Sequence, residues 1–126
     1  IRAFCKKHCL TPVAVGAPQF WLENYVVCSP FQCLKVFQNS DYIITDTFHG
    51  SVFSVKTKSK FCTIIRNSNK EKLTTLLKQL RQTDRIASNS TGIERLYNTE
   101  IDYAITDSII CQEIERTANY LKENIK

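Results

Sequence analysis

The segment from Tyr42 to Ser51 most constrains the fold of this chain. Residues 42–45 form an apolar and β-branched run, typical of a buried strand in a parallel sheet. The string Asp46-Thr47-Phe48-His49-Gly50-Ser51 follows at once, with residues that can turn the chain into a helix. Open α/β sheets bind their ligands at the carboxyl ends of the strands. The segment therefore predicts a parallel sheet and a candidate active-site turn.

Short apolar runs alternate with helical patterns along most of the chain. Strands are predicted at residues 13–16, 25–28, 42–45 and 61–65, and helices at 1–10, 30–39, 50–57, 70–80 and 108–124. We interpret residues 82–100 as a polar connection with a loop at 89–92, and residues 101–105 as a short extended or irregular approach to the last helix. This order predicts a single α/β domain in three layers, with right-handed crossovers.

Three local patterns support the predicted helices. Ser29, Pro30 and Gln32 form a capping box with proline at the first helical position, and Leu34 and Phe37 are expected to face inward. Leucines recur at helical spacing in the helix at 70–80, at positions Leu73, Leu76, Leu77 and Leu80. One apolar stripe is predicted on the closing helix, formed by Ile110, Ile114, Leu121 and Ile125.

Composition limits the class of function. The 126 residues suffice for one domain, and the absence of methionine leads us to expect a piece of a larger protein. The net charge of +5 comes from dispersed lysines and arginines, which suits an anionic substrate or an anionic membrane surface better than nucleic acid. No apolar run approaches the roughly 18 residues of a membrane span. We expect a cytoplasmic protein, with the inner face of the membrane as the alternative location.

The six cysteines form no Cys-x-x-Cys pair, which favours reduced thiols. Cys5, His8 and Cys9 share a helical spacing that suits metal ligands, but a fourth ligand is not evident and two lysines lie between them. Ordinary packing or surface thiols are the favoured interpretation, and no metal is predicted.

The turn after residue 45 carries the chemistry of an acid catalyst acting on a phosphorylated substrate. A helix beginning near Gly50 would offer the amides of Gly50 and Ser51 to a phosphate, and His49 could donate a proton. Asp46 could orient the imidazole, act as a base or cap the helix. The alternative is that His49 only caps or packs. Arg66, at the carboxyl end of the next strand, is a second candidate for anion binding.

Residues 26–86 resemble the carboxyl-terminal half of the polysaccharide pyruvyl transferases. The resemblance is carried by Ser29-Pro30-Phe31, the string from Ser40 to Ser54 with its Thr-Asp-x-Phe-His-Gly motif, Phe61, the leucine helix and Asp84-Arg85. It implies an enzyme of two Rossmann-like lobes, similar to GT-B glycosyltransferases, with this chain as the carboxyl-terminal donor-binding lobe. Such an enzyme moves pyruvate from phosphoenolpyruvate onto a saccharide or lipid-linked saccharide as a ketal, during synthesis of exopolysaccharide or another cell-surface glycan.

The resemblance also implies the roles of individual residues. His49 and Asp46 are the expected catalytic residues, and phosphoenolpyruvate is a donor substrate rather than a cofactor. Substrate binding is expected from Thr47, Phe48, Gly50, Ser51, Arg66 and Lys72. The acceptor and the amino-terminal lobe of the same protein are the other expected partners.

Two features depart from the family pattern. Lys72 stands where an arginine is expected, and lysine cannot grip a phosphate through two parallel hydrogen bonds. Residues 56–60 are also more basic than the expected apolar turn. Two other hypotheses therefore stay open: a lobe of a GT-B glycosyltransferase that uses a nucleotide sugar, and a binding domain without activity of its own.

Overall fold

A computed structural model describes residues 1–125. The helices are α1 (Arg2–Lys7), α2 (Pro30–Gln38), α3 (Phe48–Lys56), α4 (Lys70–Gln79), α5 (Ser90–Tyr97) and α6 (Ala104–Asn124). The strands are β1 (Ala14–Val15), β2 (Tyr25–Val26), β3 (Ile43–Thr45), β4 (Phe61–Ile64) and β5 (Ile86–Ala87). Two short 3-10 helices, η1 (Asn67–Asn69) and η2 (Thr83–Arg85), precede α4 and β5.

All strand pairs in the described residues are parallel, as predicted. The main sheet has the order β3-β4-β5, and β1 pairs with β2 in a separate two-stranded sheet. The register between β3 and β4 places Ile43 beside Phe61 and Thr45 beside Thr63. The carboxyl ends of the two strands are therefore aligned, and the loops that follow them leave the same edge of the sheet.

Helices cover both faces of the main sheet. Since side chains alternate along a strand, Ile43 and Phe61 point to one face, and Ile44 and Cys62 to the other. The first face packs against Phe37 of α2, Val55 of α3 and Leu77 of α4. The second packs against Ile93 and Leu96 of α5. The predicted α/β class is confirmed, with one hydrophobic core on each side of the sheet.

The capping box at the start of α2 is confirmed. The Ser29 amide donates to Oε1 of Gln32 at 2.9 Å, and the Gln32 amide donates to Oγ of Ser29 at 3.4 Å. Phe37 is buried as predicted, while Leu34 is only half-buried. In α4, Leu73 and Leu77 are fully buried, so the leucine pattern identified that helix and its inner face.

The interpretation of residues 82–100 as a polar connection is wrong, because β5 and α5 lie there. The predicted loop at 89–92 is the capped start of α5, where the Gly92 amide donates to Oδ1 of Asn89 at 2.8 Å. Its polar first turn hides the helix from a search for apolar periodicity. The two residues of β5 are likewise too few to show a strand pattern.

The last helix begins earlier than predicted and leaves the core sooner. α6 starts at Ala104, within the segment expected to be extended or irregular, and the Ala104 amide donates to Oδ1 of Asp102 at 2.9 Å. Ile110 packs against the first core, but Ile114, Leu121 and Ile125 are 64, 45 and 67% exposed. Within residues 1–125, no helix combines the length and hydrophobicity required to cross a bilayer.

The cysteines are all free thiols. Cys62 is fully buried in β4, and burial raises the pKa of its thiol. Cys5 is also buried, whereas Cys9 is exposed. Between them in sequence, His8 is paired with Glu94, with 2.7 Å between Nε2 of His8 and Oε1 of Glu94. Residues 1–125 hold no group of three or more His, Cys, Asp and Glu side chains that could bind a metal ion.

Candidate active site

Thr47 determines where α3 begins. Its Oγ1 accepts a hydrogen bond from the Gly50 amide at 3.0 Å, as expected of an N-cap residue. Oγ1 of Thr45 accepts from the Thr47 amide at 3.2 Å and fixes the turn from β3. The alternative role of Asp46 as the cap is therefore wrong, and α3 starts at Phe48 rather than Gly50.

Gly50 is needed for packing at this turn. A Cβ atom there would lie 2.0 Å from Oγ1 of Thr45 and 2.9 Å from Cβ of Thr45. At these distances either Thr45 or the backbone of the turn would have to shift. Gly50 therefore lets α3 begin directly against the end of β3. It is buried, and its amide is already bonded to Thr47, so in this structure it serves the turn itself.

Ser51 faces the interior. Its hydroxyl donates to the carbonyl of Thr47 at 3.0 Å and lies 3.0 Å from Oγ1 of Thr63 in β4. The side chain is fully buried. Ser51 thus ties the first turn of α3 to the neighbouring strand, and its expected contact with substrate stays a prediction.

His49 lies exposed in the first turn of α3. Its ring is edge-on to that of Phe48, with centroids 5.9 Å apart, and 6.5 Å from the ring of Phe53. The amides of Phe48 and His49 have no partner within the helix, since the first turn offers none. Together with the positive end of the helix dipole, they favour an anion beside the imidazole.

Asp46 and Arg66 come together from two strands. Oδ2 of Asp46, directly after β3, lies 3.1 Å from Nε of Arg66, which follows β4. The side chains are 42 and 58% exposed, so water screens the pair and it contributes little to stability. Within residues 1–125, Asp46 makes no ion pair with His49. The carboxylate therefore holds the guanidinium at the edge of the sheet instead of orienting the imidazole.

Asn69 joins the two loops that carry this ion pair. Its Oδ1 accepts from the Arg66 amide at 2.9 Å, and its Nδ2 donates to the carbonyl of Asp46 at 2.6 Å. Both halves of the side-chain amide are used, so the loops after β3 and β4 are held at a fixed separation. Asn69 was missed in the sequence because it lies in a polar run, Asn67-Ser68-Asn69-Lys70, without periodicity.

Lys72 lies beside Phe48 rather than beside the ion pair. Its Nζ is 4.6 Å from the centroid of the Phe48 ring, within the range of a cation–π interaction.

The basic segment 56–60 also has partners within the chain. Nζ of Lys58 lies 2.5 Å from Oδ2 of Asp107, and Nζ of Lys60 lies 2.7 Å from Oε1 of Glu100. Ion pairs with distant parts of the chain thus account for two of its lysines.

The predicted site residues therefore divide into three groups. Asp46 and Arg66 form one exposed ion pair, and His49 lies on the first turn of α3 beside Phe48, whose ring Lys72 contacts. Thr47, Gly50 and Ser51 build the turn. The arrangement can bind an anion and supply a proton donor at one edge of the sheet. No family model, curated protein or solved structure was found to match this chain.

Gly50→Ala should destabilise the fold by about 2 kcal/mol, within the range of overpacking changes, because the new methyl group meets Thr45. Gly92→Ala is the matched control. Gly92 occupies the same position of α5 and its amide is also capped, but a Cβ there meets no atom closer than 3.5 Å. We expect Gly92→Ala to be neutral or stabilising by up to about 1 kcal/mol. Urea denaturation measures the free energy of unfolding of both variants. Equal changes in the two would contradict the close contact between Gly50 and Thr45.

Asn69→Ala should lower the free energy of unfolding by about 1–2 kcal/mol, because it removes one hydrogen bond between the two loops and one within the loop after β4. Asn98→Ala is the control, since Nδ2 of Asn98 makes only a local bond to the carbonyl of Glu94 at 3.0 Å. Amide hydrogen exchange should accelerate at residues 46–49 in Asn69→Ala alone. Unchanged exchange there would show that Asn69 does not hold the turn.

Proposed function

We propose that this chain is the donor-binding lobe of a pyruvyl transferase that moves pyruvate from phosphoenolpyruvate onto a sugar as a ketal. The observation that carries the proposal is the placement of His49 on the exposed first turn of α3, with Arg66 at the end of the adjacent strand. The resemblance of the Asp46–Ser51 string to the family motif supports the same function.

Phosphoenolpyruvate fits the charge pattern of this edge. Its phosphate would accept from the amides of Phe48 and His49 at the positive end of α3. Its carboxylate would pair with Arg66, whose guanidinium can make two parallel hydrogen bonds. Arg66 must then exchange Asp46 for the donor. An exposed ion pair is weak enough for such an exchange.

The reaction needs a proton donor where His49 lies. The methylene carbon of phosphoenolpyruvate takes up a proton and one sugar hydroxyl adds to the adjacent carbon, losing its own proton. The phosphate then leaves with the electron pair of its C–O bond, and a second hydroxyl adds to the same carbon and gives its proton to the released phosphate, which closes the ketal. Protonated His49 would serve the first protonation or the departure of phosphate. Asp46, released from Arg66, would accept a proton from a sugar hydroxyl.

The chain would form one wall of the catalytic cleft, and a second lobe of the same protein would face it. The acceptor would be a saccharide or a lipid-linked saccharide of a cell-surface glycan. A cytoplasmic location near the inner face of the membrane would give the enzyme both substrates.

Donor binding is testable on the 126-residue chain itself. Phosphoenolpyruvate should raise its melting temperature, by the linkage that stabilises any liganded native state, and calorimetry should give the dissociation constant. Arg66→Gln should weaken binding about tenfold or more, through loss of a charge-assisted pair. Arg116→Gln is the control, because Arg116 is an exposed arginine paired with Glu113 on α6. Stabilisation by uridine diphosphate and none by phosphoenolpyruvate would favour the glycosyltransferase hypothesis instead.

The catalytic role of His49 requires a protein that contains both lobes. There His49→Ala should reduce pyruvate transfer by about 10²–10⁴-fold, the usual contribution of general acid catalysis. The circular dichroism spectrum and the melting temperature should stay unchanged, since the side chain is exposed. Assays of phosphate release and of ketal formation would together measure the transfer. Full activity of the folded variant would contradict the assignment of His49.

A further inference from the structure

A shallow groove lies between the start of α3 and the outer face of α4. It has a volume of about 420 Å³ and is lined by Phe48, Glu71, Lys72, Thr75, Leu76 and Gln79. We propose that this groove binds the acceptor saccharide beside His49. The inference rests on the proposed function, because it gives the second substrate its place.

The groove combines an apolar floor with a polar rim. The half-buried Phe48 ring and Leu76 supply apolar surface, while Glu71, Thr75 and Gln79 follow one another at intervals of four along α4. This spacing places the three on one face of the helix. A sugar ring has the matching chemistry, since its C–H groups lie against apolar surface and its hydroxyls both donate and accept. The carboxylate of Glu71 accepts hydrogen bonds, and the hydroxyl of Thr75 and the amide of Gln79 both donate and accept them.

The charges of the groove favour a neutral ligand. Glu71 and Lys72 carry opposite charges on adjacent residues, so the lining has no net charge. Lys72 lies over the Phe48 ring, 4.6 Å from its centroid, and its flexible, exposed side chain can move aside to donate to a sugar hydroxyl. The arrangement also gives Lys72 a role that does not require the bidentate grip of an arginine.

The groove adjoins the turn that carries the chemistry. Phe48 and His49 are consecutive residues with ring centroids 5.9 Å apart, so a sugar on Phe48 would have hydroxyls near the imidazole. A second groove has similar side chains but lies on α6 alone, and is lined by Gln112, Glu115, Arg116, Asn119, Tyr120 and Glu123. Two elements form the first groove and only one helix forms the second, which therefore serves as a control.

A nuclear magnetic resonance titration of the 15N-labelled chain tests the inference. The probes are methyl β-galactoside, methyl α-glucoside and methyl α-mannoside, with phosphoenolpyruvate added separately. At least one glycoside should shift the amide signals of Thr75, Leu76 and Gln79, the groove residues of α4. Phe48→Leu should weaken its binding about tenfold, and the exposed Gln79→Ala should weaken it without affecting the fold. Tyr120→Leu on α6 should leave it unchanged.

Three results would overturn the groove assignment: no glycoside shifts these signals, Phe48→Leu and Gln79→Ala bind as the unmodified chain does, or phosphoenolpyruvate shifts them instead. Glycoside shifts in the groove without any response to phosphoenolpyruvate would support the saccharide site while contradicting the pyruvyl donor. A response to phosphoenolpyruvate at Phe48, His49 and Arg66, together with glycoside shifts at Thr75, Leu76 and Gln79, would support both.

Discussion

The parallel pairing of β3 with β4 is the interaction on which the rest of the structure depends. Its register sets Thr45 beside Thr63, so both strands end at one level and their following loops meet. Asp46 and Arg66 can form their ion pair, and Asn69 can bond to both loops, only because of this alignment. A slip of one residue would exchange the two faces of β3, moving Ile43 out of the first core.

The two edges of the sheet differ in the way their polar groups are used. At the amino edge, Tyr103 donates its hydroxyl to the carbonyl of Ser59 at 2.7 Å, and burial raises the pKa of Tyr103. Nε2 of Gln82 donates to Oγ1 of Thr106 at 2.8 Å, and this contact joins the buried end of α6 to the loop before η2. At the carboxyl edge, His49 and Arg66 stay exposed. One edge is thus closed by α6, and the other is open to a ligand.

The class of fold and the turn that carries the candidate site could be predicted from particular residues. The run at Tyr42–Thr45 is continuously apolar or β-branched because both faces of β3 pack against a core. The leucines of α4 recur at helical spacing because one face of that helix is buried. The start of α5 has no such signal: Ser90, Thr91 and Gly92 are polar or small, and the Asn89 cap becomes evident only in three dimensions. Likewise, no spacing in the sequence relates Asn69 to Asp46, which are joined by a tertiary hydrogen bond.

The claim that this edge binds phosphoenolpyruvate is tested most directly by a crystal structure of the chain soaked with that compound. We expect the phosphate within hydrogen-bonding distance of the amides of Phe48 and His49, and the guanidinium of Arg66 turned from Asp46 to the donor. Phosphoenolpyruvate bound elsewhere, or an Asp46–Arg66 pair intact at 3.1 Å with no donor beside α3, would contradict it.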